Sequence, residues 1–66
     1  MKNSIKELRK SKNLRQEDLA DILGVTRQTI IAIENNKYDP TLELAMKISE
    51  YFGKSVNEIF QLDHTL

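Results

Sequence analysis

The sequence predicts a small all-α fold of five helices. Three observations support this class: apolar residues recur three and four positions apart along most of the chain, helix-capping residues separate these segments, and 66 residues can bury only one small core. We therefore expect a single domain over residues 1–66. The segment after the fifth helix is either frayed or a short C-terminal edge strand, if a partner chain supplies a neighbouring strand.

The first helix is predicted to begin near residue 3 or 4 and to end by residue 13. Ile5 and Leu8 lie three positions apart among lysines and arginines, as expected for an amphipathic helix. The second helix contains QEDLADIL, residues 16–23, in which three apolar residues share a face and acids occupy the first turn. Gly24 suits the left-handed position that ends a helix.

The third helix follows a turn of three residues, 24–26, which predicts that the second and third helices cross steeply. Thr26 is a good N-cap for the third helix. Ile30 and Ile33 share one of its faces and are expected to pack inward. Four residues are expected to point outward: Arg27, Gln28, Ile31 and Ala32. The asparagine pair that follows suits the end of this helix.

A loop that ends at Pro40 leads to the fourth helix, LELAMKISEYF, which has a regular apolar face. Thr41 is expected to cap this helix and Gly53 to end it. Ser55 and Glu58 have the S-x-x-E spacing of a capping box and predict a fifth, very short helix.

Charge is distributed unevenly although the formal net charge is zero. Residues 1–37 contain eight Lys/Arg against five Asp/Glu, and the remaining residues contain two against five. The chain therefore has a basic part and an acidic part. This distribution fits a solvated surface of mixed charge as well as a surface that binds a polyanion, so charge alone does not decide between them. Cysteine is absent, so no disulfide or thiolate metal site is expected. With no signal peptide or membrane span in the pattern, we expect a cytoplasmic protein.

Catalytic chemistry has few candidates in this sequence. His64 is the only histidine, lies near the C-terminus and is not accompanied by acids at ligand spacing. Glu17, Asp18 and Asp21 form the densest acidic group, and a first helical turn and a solvated face account for them. We predict no enzyme, no metal, no cofactor and no small-molecule ligand.

The segments QEDLADILGVTRQTIIAIE and NNKYDPTL resemble the helix-turn-helix of the Cro and phage-repressor type, also called the xenobiotic-response-element family. The motif spans about residues 16–34, and the resemblance extends from about residue 5 to residue 60. The matching positions are Gln16, Leu19, Ala20, Gly24, Val25, Thr26, Ile30, Glu34, Asn35, Pro40 and Leu42. The chain is most similar to minimal members such as the small cytolysin-operon repressors. The resemblance implies a five-helix, lambda-repressor-like DNA-binding domain.

Members of this family insert the third helix into the major groove, so the resemblance implies base contacts from its exposed face. Arg27 can donate two hydrogen bonds to guanine, and Gln28 can make the corresponding pair with adenine. Ala32 offers only a methyl contact. Ile31 either touches a thymine methyl or packs against a neighbouring side chain.

Phosphate contacts are implied for residues around the ends of the second and third helices. These candidates are Gln16, Arg15, Thr29, Asn35, Lys37 and Tyr38. Arg15 stands where the family usually has a serine or threonine N-cap, which predicts a weaker cap. Thr29 contacts a phosphate, a base or the preceding turn. Arg9 and Glu34 match a pair that forms a structural ion pair in relatives.

One recognition helix contacts too few base pairs to select a single site, so we expect a homodimer on a palindromic operator in double-stranded DNA. The expected dimer interface contains Tyr51, Phe60 and Leu62. The resemblance implies a sequence-specific transcriptional regulator, and a repressor in particular. An alternative from another class is an antitoxin-like protein-interaction module that autoregulates its own operon.

Overall fold

The computed structural model describes residues 1–63, which form five α-helices and two very short strands. In chain order these elements are β1 Lys2–Asn3, α1 Ile5–Ser11, α2 Gln16–Leu23, α3 Arg27–Glu34, α4 Leu42–Phe52, α5 Val56–Ile59 and β2 Phe60–Gln61. The five predicted helices are therefore confirmed. Within residues 1–63, every helix is too short or too polar to cross a bilayer.

The predicted capping residues define most of the helix boundaries. The hydroxyl oxygen of Thr26 accepts from the Thr29 backbone N–H at 3.3 Å, and that of Thr41 accepts from Leu44 at 3.2 Å. The two glycines that end α2 and α4 have φ angles of 72° and 65°. These positive angles favour glycine over any residue with a Cβ, so the sequence marks both ends unambiguously.

The α5 capping box is also present. The Ser55 hydroxyl accepts from the Glu58 backbone N–H at 3.2 Å, while the Glu58 carboxylate accepts from the Ser55 N–H at 2.8 Å. These hydrogen bonds to Ser55 hold the pKa of Glu58 below its usual value. A helix of four residues thereby gains partners for amides that its own turns leave unpaired.

The start of α2 has no serine or threonine cap of the kind typical of the family that the sequence resembles, and an acid within the helix contributes to the cap. The backbone N–H of Arg15 donates to the Asp18 carboxylate at 2.8 Å. Arginine has no side-chain acceptor, so Asp18 at the third helical position provides only this half of a capping box. The weaker cap expected from the sequence is thus partly replaced by an acid inside the helix.

The core draws on every helix and on β2. It consists of Ile5, Leu19, Ala20, Leu23, Ile30, Ile33, Leu44, Ala45, Ile48, Ile59 and Phe60. Ile30 and Ile33 are 0% and 1% exposed, which confirms that this face of α3 packs inward. Burial of two isoleucines from a helix of only eight residues contributes about 3–6 kcal/mol and fixes the rotation of α3 about its axis.

The two strands pair antiparallel within the same chain, with Lys2 opposite Gln61 and Asn3 opposite Phe60. The C-terminal strand anticipated from the sequence therefore exists, but its neighbour is the start of the chain and not a second subunit. Phe60 packs into the core and is 6% exposed within one chain, and its expected place at a dimer interface stays a prediction.

Candidate nucleic-acid interface

The turn between α2 and α3 is closed by the α2 backbone. Gly24 adopts the left-handed conformation, and the N–H of Val25 donates to the carbonyl of Ala20 at 3.0 Å. These contacts satisfy carbonyls at the end of α2 and leave Thr26 in an extended conformation, ready to cap α3. The motif predicted from the sequence is therefore built as two helices and a three-residue turn.

The N-terminal end of α3 presents its polar side chains to solvent. Arg27 and Gln28 are both exposed, and within residues 1–63 neither makes a side-chain hydrogen bond or ion pair. Ile31 and Ala32 are half-buried on the same helix. The four residues expected to point outward thus retain accessible surface, and the two polar ones have free donors.

An open cleft of about 470 Å³ lies beside this end of α3. Its lining comprises Arg9, Arg15, Gln16, Glu17 and Arg27. The N-terminal end of α2 and the first residue of α3 therefore meet at one polar surface. Of the guanidinium groups at this cleft, that of Arg27 makes no ion pair within residues 1–63, and the N-terminal end of α2 beside it favours an anion.

Arg15 is paired with acids of its own helix. Its Nη1 lies 2.8 Å from Glu17 Oε1, and its Nη2 lies 3.1 Å from Asp18 Oδ1. These contacts raise the pKa of Arg15, and the hydrogen bond from its side chain lowers the pKa of Asp18. The Arg15 side chain is 74% exposed, so solvent screens these pairs and a phosphate can replace them at little cost.

Arg9 and Glu34 form the ion pair that the resemblance implies. Arg9 Nε donates to Glu34 Oε2 at 2.7 Å, and their side chains are only 9% and 3% exposed. A second guanidinium nitrogen, Nη1, donates to the carbonyl of Leu14 at 2.8 Å. This bidentate, buried pair joins α1 to the last turn of α3, so removing one partner leaves a buried charge.

Gln16 belongs to the same network. Its side-chain Nε2 donates to Glu34 Oε1 at 3.2 Å, the oxygen that also accepts from Arg9 Nη2 at 3.2 Å. Gln16 is half-buried at the first position of α2 and lines the cleft. The expected phosphate-contacting glutamine is thus held by α3 in the free protein.

The remaining phosphate candidates lie at two places. Asn35, Lys37 and Tyr38 are exposed just after α3, where the N–H of Lys37 donates to the Ala32 carbonyl at 2.8 Å. Thr29 is half-buried, and its hydroxyl lies 3.1 Å from that of Thr26. Of the alternatives for Thr29, the structure contains the contact with the preceding turn.

The remaining dimer candidates differ in exposure. Leu62 is 71% exposed after β2, whereas Tyr51 is 36% exposed on α4. The Tyr51 ring packs edge-on against Phe52, with Lys12 Nζ 5.5 Å from its centroid. Leu62 consequently offers the larger free apolar surface. His64, for which no metal or catalytic role is expected, lies outside the described residues.

Sequence reasoning missed two residues that support the interface. Asn3 donates from its side chain to the carbonyl of Ile33, 30 positions away, and such long-range contacts leave no periodic signal. Asp18 supplies the α2 cap, and an acid three positions after the cap residue could have indicated this.

Comparison with known proteins identifies the family. A helix-turn-helix family model matches residues 5–59. An uncharacterized HTH-type transcriptional regulator of Methanocaldococcus jannaschii is 60% identical over 60 residues, covering 91% of each chain. The uncharacterized HTH-type regulator YgzD of Bacillus subtilis is 46% identical over 63 residues, covering 96% of each chain.

A more distant relative is the cryptic phage CTXphi transcriptional repressor RstR of Vibrio cholerae. It is 32% identical over 57 residues, which cover 86% of this chain and 51% of RstR. The family model and the two nearly full-length relatives agree with the architecture of α2, the turn and α3. The chain therefore belongs to the helix-turn-helix family of the Cro and phage-repressor type, whose members are DNA-binding transcriptional regulators.

Proposed function

We propose that this regulator is a repressor that binds one specific double-stranded DNA site with α3 in the major groove. The observation that carries the proposal is the two-sided character of α3. Ile30 and Ile33 fix its inner face in the core, and the side chains of Arg27 and Gln28 at its outer N-terminal end have no partner among residues 1–63. A helix anchored in this way presents base-reading side chains without a large loss of entropy on binding.

Base recognition is assigned to the outer face of α3. Arg27 donates two hydrogen bonds to guanine O6 and N7, and Gln28 pairs with adenine N6 and N7. The side chains of Ile31 and Ala32 are half-buried and carry no polar atom, so their part is apolar contact with a thymine methyl.

Phosphate binding positions α3 in the groove and is assigned to residues on both sides of it. Gln16 and Arg15, which line the cleft, are assigned to one phosphate region, and Thr29 in the first turn of α3 is assigned a further phosphate contact. Asn35, Lys37 and Tyr38 hold another beyond the C-terminal end of α3. Exposure of Lys37, which makes no ion pair within residues 1–63, supports its share of this role.

Two copies of the chain are proposed to bind a palindromic operator. A twofold dimer places its two recognition helices about 34 Å apart, one turn of B-DNA. Leu62 and Tyr51 are proposed to contact the partner, since both retain exposed apolar surface. Repression is supported by the likeness to RstR, a repressor by its name.

The experiment that tests this function is selection of bound fragments from random duplex DNA at physiological salt. The expected result is an inverted repeat whose half-sites are separated by about one helical turn. A reporter gene driven by a promoter that overlaps the selected site is then expected to lose expression when the protein is present. Recovery of fragments with no common sequence would contradict specific binding, and a single half-site would contradict the dimer.

A further inference from the structure

The side chain of Gln16 is fixed by a residue that lies on a different helix and does not face the cleft. Gln16 Nε2 donates to Glu34 Oε1 at 3.2 Å, and the Glu34 side chain is 3% exposed. Gln16 makes no other side-chain hydrogen bond within residues 1–63. One of its two amide hydrogens is therefore used internally, and the other is free beside the cleft.

We propose that Glu34 is a positioning residue for DNA binding, which orients the Gln16 amide so that an N–H group, and not the carbonyl oxygen, faces a phosphate. This inference rests on the proposed function. An ionised carboxylate accepts hydrogen bonds and donates none. If the amide were flipped, the Gln16 carbonyl oxygen would face Glu34 without a hydrogen bond and would be repelled by it.

The carboxylate is itself held in a fixed orientation. Arg9 donates to both Glu34 oxygens, at 2.7 and 3.2 Å, and is fixed in turn by its hydrogen bond to the Leu14 carbonyl. Four groups from α1, the following turn, α2 and α3 thus form one connected network. The orientation of the Gln16 amide consequently costs little entropy when DNA binds.

The positive charge of Arg9 also compensates the negative charge of Glu34, which would otherwise repel DNA bound at the cleft. A lone buried carboxylate so close to the cleft would repel phosphate, whereas the bidentate guanidinium neutralises it at 2.7 Å. The same pair that stabilises the fold therefore provides an acceptor for Gln16 without adding a net negative charge to the interface.

The first test uses the unaltered protein without DNA. Hydrogen exchange of the side-chain amides is measured by nuclear magnetic resonance, with Gln28 as the internal control because its side chain is exposed and makes no hydrogen bond within residues 1–63. We expect one of the two Gln16 amide protons to exchange about tenfold more slowly than either Gln28 proton. Equal exchange of the Gln16 and Gln28 protons would overturn the proposal.

The second test measures whether the contribution of Gln16 to DNA binding depends on the Arg9–Glu34 pair. Removing only Glu34 would leave the charge of Arg9 buried and unpaired, so the pair is replaced together by the double substitution Arg9→Met and Glu34→Met. We expect Gln16→Ala to weaken binding to the selected duplex about tenfold in the natural chain and less than twofold in the Met/Met background. An equal loss in both backgrounds would overturn the proposal.

Lys37→Ala is the matched control, because Lys37 lies outside this network. We expect it to weaken binding by the same factor in both backgrounds. If no duplex binds the natural chain, the proposed function fails. The exchange measurement on the free protein then still decides whether Glu34 fixes Gln16.

Discussion

The side-chain amide of Asn3 donates to the carbonyl oxygen of Ile33 at 2.9 Å, which links β1 to the last turn of α3. The same nitrogen lies 3.2 Å from Asn36 Oδ1, and Asn3 Oδ1 accepts from the backbone N–H of Ile5 at 3.2 Å. The carbonyls in the last turn of a helix have no partner within that helix. Asn3 therefore stabilises the recognition helix from outside, and at the same time helps to start α1.

Replacing Asn3 by alanine is expected to lower the free energy of unfolding by about 0.5–1.5 kcal/mol, because the partly buried Ile33 carbonyl loses one of its two donors and keeps only the Asn36 backbone N–H at 3.0 Å. Urea denaturation measures this change. Asn57→Ala is the control, since Asn57 is exposed and makes no side-chain hydrogen bond within residues 1–63. Equal stability of the two variants would contradict a structural role for the Asn3 link.

Arg27→Ala is expected to weaken binding to the selected operator by about 1–3 kcal/mol and to relax the base preference at one position. The reason is that the guanidinium makes no ion pair within residues 1–63 and is available to a guanine. Titration of duplexes with each base at that position measures the effect.

Lys37→Ala is the comparison for Arg27→Ala. It is expected to weaken binding to all sequences alike and to lower the slope of log affinity against log salt by about one. If Arg27→Ala also reduced binding equally on every duplex, its assignment as a base-reading residue would fail.

Glu17→Gln is expected to strengthen binding to all duplexes by about two- to fivefold. Glu17 lies 2.8 Å from Arg15 Nη1 and lines the cleft, so its charge both competes for Arg15 and repels phosphate. Filter binding or fluorescence anisotropy at two salt concentrations measures the change. Glu50→Gln, an exposed acid on α4, serves as the control and is expected to leave affinity unchanged.

Leu62→Glu is expected to shift the chain from dimer to monomer and to weaken operator binding at least tenfold, since two linked half-sites bind far more tightly than one. Leu62 is 71% exposed, so a charge there does not disturb the core. Sedimentation velocity measures the assembly. Leu42→Glu, at a residue that is 75% exposed, is the control, and the same shift in both variants would argue against an interface at Leu62.

The loss of folding stability in acid is expected to depend on Asp18 and Glu58. The pKa of Asp18 is lowered by its hydrogen bonds with Arg15, and that of Glu58 by its hydrogen bonds with Ser55. A group whose pKa is lower in the folded state stabilises the fold above its unfolded pKa, about 3.9–4.3 for these residues. This contribution is lost as the pH falls through the folded value.

Asp18→Asn combined with Glu58→Gln retains acceptor oxygens but removes both titrations. The double variant is therefore expected to lose less stability than the natural chain when the pH falls from about 5 to about 2. Thermal unfolding across this range measures the difference. Parallel curves for the two proteins would show that neither carboxylate is linked to folding.

The parts of the fold that the sequence predicts are those set by local chemistry. Gly24 and Gly53 end helices because they take positive φ angles, and Ile30 and Ile33 share a face because they lie three positions apart. Thr26 and Ser55 begin helices because their side chains accept hydrogen bonds from nearby amides. Each of these signals lies within a few residues.

The parts that sequence reasoning missed depend on distant contacts. β1 is two residues long, too short for a periodic pattern, and it forms only because β2 returns to the start of the chain. The burial of Phe60 in the core likewise depends on how the chain continues after α5, which no local pattern indicates. The contact of Gln16 with Glu34 joins positions 18 residues apart, which spacing alone does not indicate.

The burial of Arg9 and Glu34 makes this ion pair insensitive to the salt concentration of the solvent. Mobile ions weaken attraction between charges in solvent, but they scarcely reach a pair whose side chains are 9% and 3% exposed. Concentrated electrolyte should thus detach the protein from nucleic acid while its architecture stays intact. A loss of DNA binding when salt is raised can therefore be attributed to cations that return to the phosphates, and not to a change in the protein's own fold.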